Sequence, residues 1–144
     1  MNKIPVGVLG ATGSVGQKFI QLLANHPYFE VTELAASEKS AGKPYKEAVN
    51  WFLPGRIPTA IEDKIVKSTD ADLDCKLLFS GLDASVAGEI EENFARKGYV
   101  VVSNSKNHRF DPAVPLLIPE VNPDHLDLIK FQSYGTGCIV TNPN

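Results

Sequence analysis

The most constraining stretch of the chain lies between residues 6 and 16. A short apolar run, Val6 to Leu9, opens into glycines spaced three apart (Gly10, Gly13, Gly16) and then into a helical pattern. Glycine at Gly10 permits backbone angles barred to other residues. Gly13 and Gly16 remove side chains where a pyrophosphate and the strand would otherwise collide with the helix. Ser14 is expected to cap that helix, with Gln17 three residues on completing an S-x-x-Q capping box. The helix is expected to present Val15, Phe19, Leu22 and Leu23 on one face. Its N-terminus offers free N–H groups and about half a positive charge, which suits an anion. The spacing is G-x-x-G-x-x-G. It is neither the usual G-x-G-x-x-G nor a phosphate-binding loop ending in Gly-Lys-Ser/Thr. Spacing alone leaves two readings, a nucleotide-binding turn and a plain tight strand-to-helix turn.

A chain of 144 residues is expected to form one domain that buries roughly two thirds of its unfolded surface. Hydrophobic residues make up 43% and charged residues 22%, with no apolar run long enough to span a membrane. No signal-peptide pattern precedes the first strand. The net charge is −3 and the basic residues are scattered, which argues against a nucleic-acid surface and for a small-molecule partner. Cys75 and Cys138 lie far apart without C-x-x-C or histidine companions, so neither zinc nor a disulfide framework is expected and a reducing cytoplasm fits. His26 and His125 sit beside prolines and show no metal spacing.

Apolar runs at 5–9, 31–36, 76–80, 99–103, 116–118 and 139–141 read as strands, with helical patterns between several of them. Alternation of strand and helix, with near-continuous Val, Ile and Leu in the strands, predicts an α/β fold with a mostly parallel sheet covered on both faces. Ligands of such sheets bind beyond the C-terminal ends of the strands, so the residues that follow each strand are the candidates for function. After 31–36 comes Ser37-Glu38-Lys39-Ser40-Ala41-Gly42-Lys43, where an NAD-binding domain keeps an acidic residue for the adenosine ribose. Ser37 and Ser40 can donate to a ribose 2′-phosphate there, with Lys39 or Lys43 adding charge. Charge-assisted bonds of about 1.5 to 3 kcal/mol each would favour NADP by roughly ten- to a hundredfold. A solvated loop with ordinary surface lysines is the alternative. Residues 43–64, with Pro44, Pro54, Gly55 and Pro58, read as a crossing loop with one short ordered piece and Trp51 as a packing anchor.

Ser80 and Gly81 end the next strand, where they can flank a pyrophosphate or nicotinamide ribose. A helix follows from about Ser85, with Ala87, Ile90 and Phe94 on one face and Gly98 as its stop. The segment Ser103-Asn104-Ser105-Lys106-Asn107-His108-Arg109 forms a dense polar cluster at the same edge. Lys106 and Arg109 together suit a dianionic group, the guanidinium fork matching phosphate oxygens and the ammonium adding a point charge. His108 reads as a surface histidine. Prolines at 112, 115 and 119 stiffen the chain before a weak helix from about Asp124.

Four segments together resemble aspartate-semialdehyde dehydrogenase, on its archaeal and fungal branch. They are the turn at residues 10–16, the run 36–43, the block 103–109 with 114–122, and the end Thr141-Asn142-Pro143-Asn144. Reductases of N-acetylglutamyl phosphate and malonyl-CoA share the first motif, so the middle block carries the assignment. The resemblance implies a Rossmann-like, doubly wound NADP-binding domain over residues 1–144. It implies NADPH-dependent reduction of L-aspartyl 4-phosphate to L-aspartate 4-semialdehyde, on the route to lysine, threonine and methionine, by a cytoplasmic homo-oligomer (dimer or tetramer). By position, Thr12, Gly13, Ser14 and Val15 would line the pyrophosphate, with Gly10 in the same cofactor-binding turn, and Ser37 and Ser40 would line the 2′-phosphate. Ser80, Gly81 and Asn104 would line the nicotinamide side, and Arg109, Lys106 and Asn144 the phosphate being displaced. The family's nucleophilic cysteine is expected directly after Asn144, so no catalytic residue and no catalytic or dimerisation domain is expected within these 144 residues. Cys138, inside an apolar run, is expected to be buried and inert. A free-standing NADP sensor, which has no use for the polar cluster at 103–109, is one rival reading, and a related acyl-phosphate or thioester reductase such as malonyl-CoA reductase is the other.

Overall fold

The computed structural model describes residues 2–144. Six strands form one sheet in the order β3-β2-β1-β4-β5-β6, and every pairing is parallel. They are β1 (Ile4–Leu9), β2 (Phe29–Ala36), β3 (Lys67–Ser68), β4 (Leu77–Ser80), β5 (Val100–Ser103) and β6 (Cys138–Thr141). The helices are α1 (Ser14–Leu23), the short α2 (Tyr45–Ala48) and α3 (Ala84–Arg96), with a 3-10 helix over Pro123–Phe131. This is the doubly wound order whose direction of travel reverses between β1 and β4, and a ligand crevice opens at that reversal.

Period-two alternation divides the core. Val6, Val8, Val31 and Leu34 join Ile20 and Leu23 of α1 and the buried Tyr45 on one face, Val31 and Leu34 sharing it because the β1–β2 register shifts by one residue between them. Leu9, Leu78, Val101 and Ile139 join Phe94 and Ala95 of α3 on the other. Along the α3 face the alternation runs on into polar residues, Leu78 to Ser80, Val101 to Ser103 and Ile139 to Thr141, and all three polar residues are buried.

Several expectations need correcting. Residues 116–118 form no strand. Leu116 makes a single bridge to Thr141, because Pro115 and Pro119 leave too few N–H groups for a ladder. The unforeseen β3 is only a two-residue strand on the edge of β2, too short for alternation to show. Helix α1 has Gly13 at its N-cap with no side-chain cap, and Ser14 already lies in its first turn. Gln17 does not close a capping box either. It is buried, with Nε2 donating to the carbonyls of Thr12 and Asn50 at 3.1 Å each, while its Oε1 accepts from Phe52 N at 3.2 Å. The buried face of α1 is Gly16, Gln17, Ile20 and Leu23, and Leu22 is 63% exposed. The cause is Gly16: a Cβ there would fall 2.0 Å from Gly10 O, so this position must face the turn, and the helix is rotated accordingly.

Among the described residues, no helix is long and apolar enough to cross a membrane.

Candidate functional site

Two turns meet at the reversal between β1 and β4. Gly10 takes φ +73°, and its N–H and that of Ala11 both reach Ala35 O of β2, at 2.9 and 3.1 Å. On the β4 side, Gly81 N–H donates to Leu9 O at 2.9 Å. A Cβ on Gly81 would lie 2.8 Å from Gly16 N, and one on Gly10 would lie 2.8 Å from Gly81 O. The turns therefore interlock backbone to backbone, and only glycine fits at these contacts. Gly13 is different: its nearest neighbour would be Gly10 O at 3.6 Å, so its missing side chain leaves room on the outer side. Ser14 and Val15 make no backbone hydrogen bond through N–H, as befits the first turn of a helix.

Above these turns lies an open cleft of about 460 Å³. Gly13, Ser14 and Val15 line one side of it, and Gly81 to Ala84 its floor. Asn104, Lys106 and Arg109 line the far side, with Asn144. Eight of the residues singled out from sequence are thus gathered in one place: Gly13, Ser14, Val15, Gly81, Asn104, Lys106, Arg109 and Asn144. Gly10 and Thr12 stand behind the α1 side and shape it. Ser37 is exposed just past the end of β2, beside the β1 turn, with exposed Lys39 and Lys43 nearby in sequence. Ser40 is 8% exposed, tucked into a turn in which its N–H donates to Ser37 O at 2.9 Å. Ser37, Thr12 and Asn104 all follow the C-terminal ends of strands in one parallel sheet, and so occupy one edge. A groove of about 530 Å³ outside α3, lined by Asp70, Glu89, Arg96 and Lys97 among others, lies away from this edge.

Ser80 and His108 depart from expectation. Ser80 is fully buried, and its Oγ donates to Glu91 Oε2 at 2.5 Å, so its hydroxyl does not face the cleft. His108 is 7% exposed rather than on the surface. Arg109 has two roles open to it. Its Nε donates to Asn142 O and its Nη2 to Asn104 O, both at 2.8 Å. That fixes the guanidinium against two strand-end carbonyls while it still lines the cleft.

Sequence reasoning missed Glu91 and Asp83, and it gave Gln17 a capping role in place of its buried bonds to Thr12, Asn50 and Phe52. Asp83, in the cleft floor, caps α3 by accepting from Ser85 N at 2.9 Å. The bond from the Ser85 hydroxyl, and then this backbone bond, hold its carboxyl below the usual carboxylate range. Asp83 followed two residues later by Ser85 was the available signal. Cys138 is buried in β6, and burial pushes its thiol up from the ordinary value, as for an inert core cysteine.

The sequence model of the semialdehyde dehydrogenase NAD-binding domain matches residues 5–129. Curated relatives named aspartate-semialdehyde dehydrogenase include one from Schizosaccharomyces pombe, 50% identical over 96% of this chain and 41% of its own length. Another, from Methanothermobacter thermautotrophicus, is 53% identical over 98% of this chain and 42% of its own length. Among solved structures, aspartate semialdehyde dehydrogenase with NADP from Candida albicans superposes with a TM-score of 0.90 at 43% identity, over 99% of this chain and 43% of that one. The chain thus spans about two fifths of the length of these relatives.

Proposed function

Because the chain belongs to the semialdehyde dehydrogenase family through its NAD-binding domain, we propose that it is the NADP-binding part of an aspartate-semialdehyde dehydrogenase that reduces L-aspartyl 4-phosphate to the semialdehyde. Residues 1–144 form its single nucleotide-binding domain. The nucleophile and the catalytic and dimerisation domain belong to the portion of the relatives that this chain does not match. A cytoplasmic homo-oligomer acting on a small-molecule substrate goes with this reading.

The observation that carries it is the convergence on one cleft of unbonded helix N–H groups, a side-chain-free edge at Gly13 and the cationic Lys106 and Arg109. That donor set fits a phosphorylated dinucleotide: amides and a helix N-terminus for pyrophosphate, cations for a further phosphate. Gly13, Ser14 and Val15 hold the pyrophosphate. Ser37, aided by Lys39 or Lys43, takes the 2′-phosphate, with Ser40 supporting the turn that presents it. Gly81 and Asn104 flank the nicotinamide side, and Ser80 acts there only through its backbone. Lys106, Arg109 and Asn144 hold the substrate phosphate. When bound, the nicotinamide nucleotide supplies the hydride that reduces the acyl carbon.

Titrating the protein with NADPH and NADH by fluorescence tests the reading. NADPH is expected to bind roughly ten- to a hundredfold tighter, and Ser37→Ala to remove most of that margin. Equal affinity for the two nucleotides would remove the 2′-phosphate site, and absence of binding would remove the reading.

A further inference from the structure

Beneath the cleft, α3 turns one carboxylate into the sheet. Glu91 is fully buried among Ala87, Phe94 and Ala95, where apolar contact is the rule for a helix face. Its Oε2 accepts from Ser80 Oγ at 2.5 Å and from Ser103 Oγ at 2.6 Å. Those serines are the last residues of β4 and β5, so one carboxylate oxygen joins the ends of two neighbouring strands. The serines in turn hold the rim. Ser80 O accepts the N–H of Asn104 at 3.0 Å, and Ser103 O accepts the N–H of Asn142 at 3.2 Å. Ser103 Oγ also accepts from Ser105 N at 2.9 Å. Arg109 grips the same two rim residues from the cleft side through their carbonyls. Asn104 and Asn142 are therefore held from below by a chain that starts at Glu91 and from above by Arg109.

Burying a carboxyl carries a desolvation penalty that its hydrogen bonds must offset. The other oxygen, Oε1, has no hydrogen-bond partner, and neither has Nε2 of the buried His108 nearby. The group does not read as a device for stability.

We propose that Glu91 is a positioning residue for the cofactor cleft: through the Ser80 and Ser103 hydroxyls it sets the relative placement of the β4 and β5 ends, and with them Gly81, Asn104 and Asn142. The proposal rests on the nucleotide-binding reading for its consequence, but the strand-end geometry can be tested apart from it.

Two measurements on Glu91→Leu and Glu91→Gln decide. The first is NADPH titration alongside thermal unfolding. The second is amide hydrogen exchange at Asn104 and Asn142. Leucine fills the volume without an acceptor. Glutamine keeps one carbonyl oxygen for both serines and puts its amide nitrogen where Oε1 has no partner. Glu91→Leu strands two buried serine hydroxyls and is expected to lower Tm; at temperatures where thermal unfolding shows it still folded, it is expected to lose NADPH affinity by about tenfold or more, the size of one well-placed hydrogen bond. Both amides are expected to exchange about tenfold faster, and Glu91→Gln to keep wild-type affinity and amide protection. Wild-type affinity and protection in Glu91→Leu, equal losses in both variants, or a loss of affinity only where the variant has begun to unfold would each overturn the proposal. Should Glu91→Leu not fold, Ser80→Ala replaces it: the Asn104 amide is expected to loosen and the Asn142 amide to stay protected, and any other pattern refutes the clamp. If the wild type itself binds no NADPH, the nucleotide reading falls, and the exchange pattern still decides the role of Glu91.

Discussion

The two sides of the cleft are made by opposite means. On the α1 side, backbone is packed against backbone and side chains are absent where it matters: Gly10, Gly16 and Gly81 meet at distances that no Cβ allows. On the β5 side, the shape comes from buried polar side chains, with Glu91, Ser80 and Ser103 tied together under the rim and Arg109 over it. The first construction is rigid because any added atom collides. The second is held by a few directional bonds in a low-dielectric setting, where each bond is strong and each loss is costly. Substitutions should therefore act differently on the two sides: steric and all-or-none at the glycines, graded and sensitive to chemistry at the serine rim.

The largest effect is expected at Gly16. A Cβ there meets Gly10 O at 2.0 Å, Gly10 C at 2.7 Å and Ala11 Cα at 2.9 Å, all of them backbone. Gly16→Ala should cost more than about 3 kcal/mol or abolish folding, read by chemical denaturation. A loss under about 1 kcal/mol would mean that the turns separate easily and would break the comparison. Gln17→Leu comes next. It strands the carbonyls of Thr12 and Asn50 and the N–H of Phe52 and should cost about 2 to 3 kcal/mol in the same measurement.

A smaller, pH-dependent effect belongs to the other side. Burial raises the Glu91 carboxyl above its ordinary value, against the opposing pull of the Ser103 and Ser80 hydrogen bonds and of His108. A raised value means the folded protein favours the protonated acid. That contribution is complete below the unfolded value near pH 4.5 and is lost as pH rises through the folded one. Glutamine does not titrate, so Tm of Glu91→Gln relative to the wild type should climb as pH rises from about 4.5. The groups facing Glu91 are Ser80 from β4, Ser103 from β5 and His108 from the following loop. A difference that stays flat across that range would show the carboxyl to be ionised throughout. The smallest change is expected for Gly13→Ser. The N-cap has φ −82° and ψ 174° and lacks a side-chain acceptor, so serine should stabilise by about 0.3 kcal/mol, the few tenths that separate serine from glycine at this position. It also places atoms in the cleft and should weaken NADPH binding. Unchanged affinity would place the nucleotide elsewhere and sharpen the contrast between Gly13 and Gly16.

Much of the α1 side was legible in the residues, since glycine spacing speaks directly about backbone approach. The gathering of Asn104, Lys106 and Arg109 with the glycine turn followed from one rule, that loops after parallel strands share an edge. Less legible was the β5 side. Ser80 reads as a cleft residue until the sheet shows which way its alternating side chains point. Glu91 could have been noticed as a charge four residues after Ala87 and three before Phe94, inside an apolar stripe. Nothing local says what it bonds.

The alternation of strands and helices in a parallel sheet, the glycine-lined turn and the edge that carries the polar loops were legible in the sequence alone, although β3 and the loss of a strand at 116–118 were not. Each depends on periodicity or on backbone freedom, properties of residues near one another in the chain. The rotation of α1, the inward turn of Gln17 and the joining of β4 to β5 through Glu91 were decided only by the tertiary structure. They depend on which faces meet across the sheet, and a carboxylate or an amide takes its partners from whatever long-range packing brings within hydrogen-bond reach.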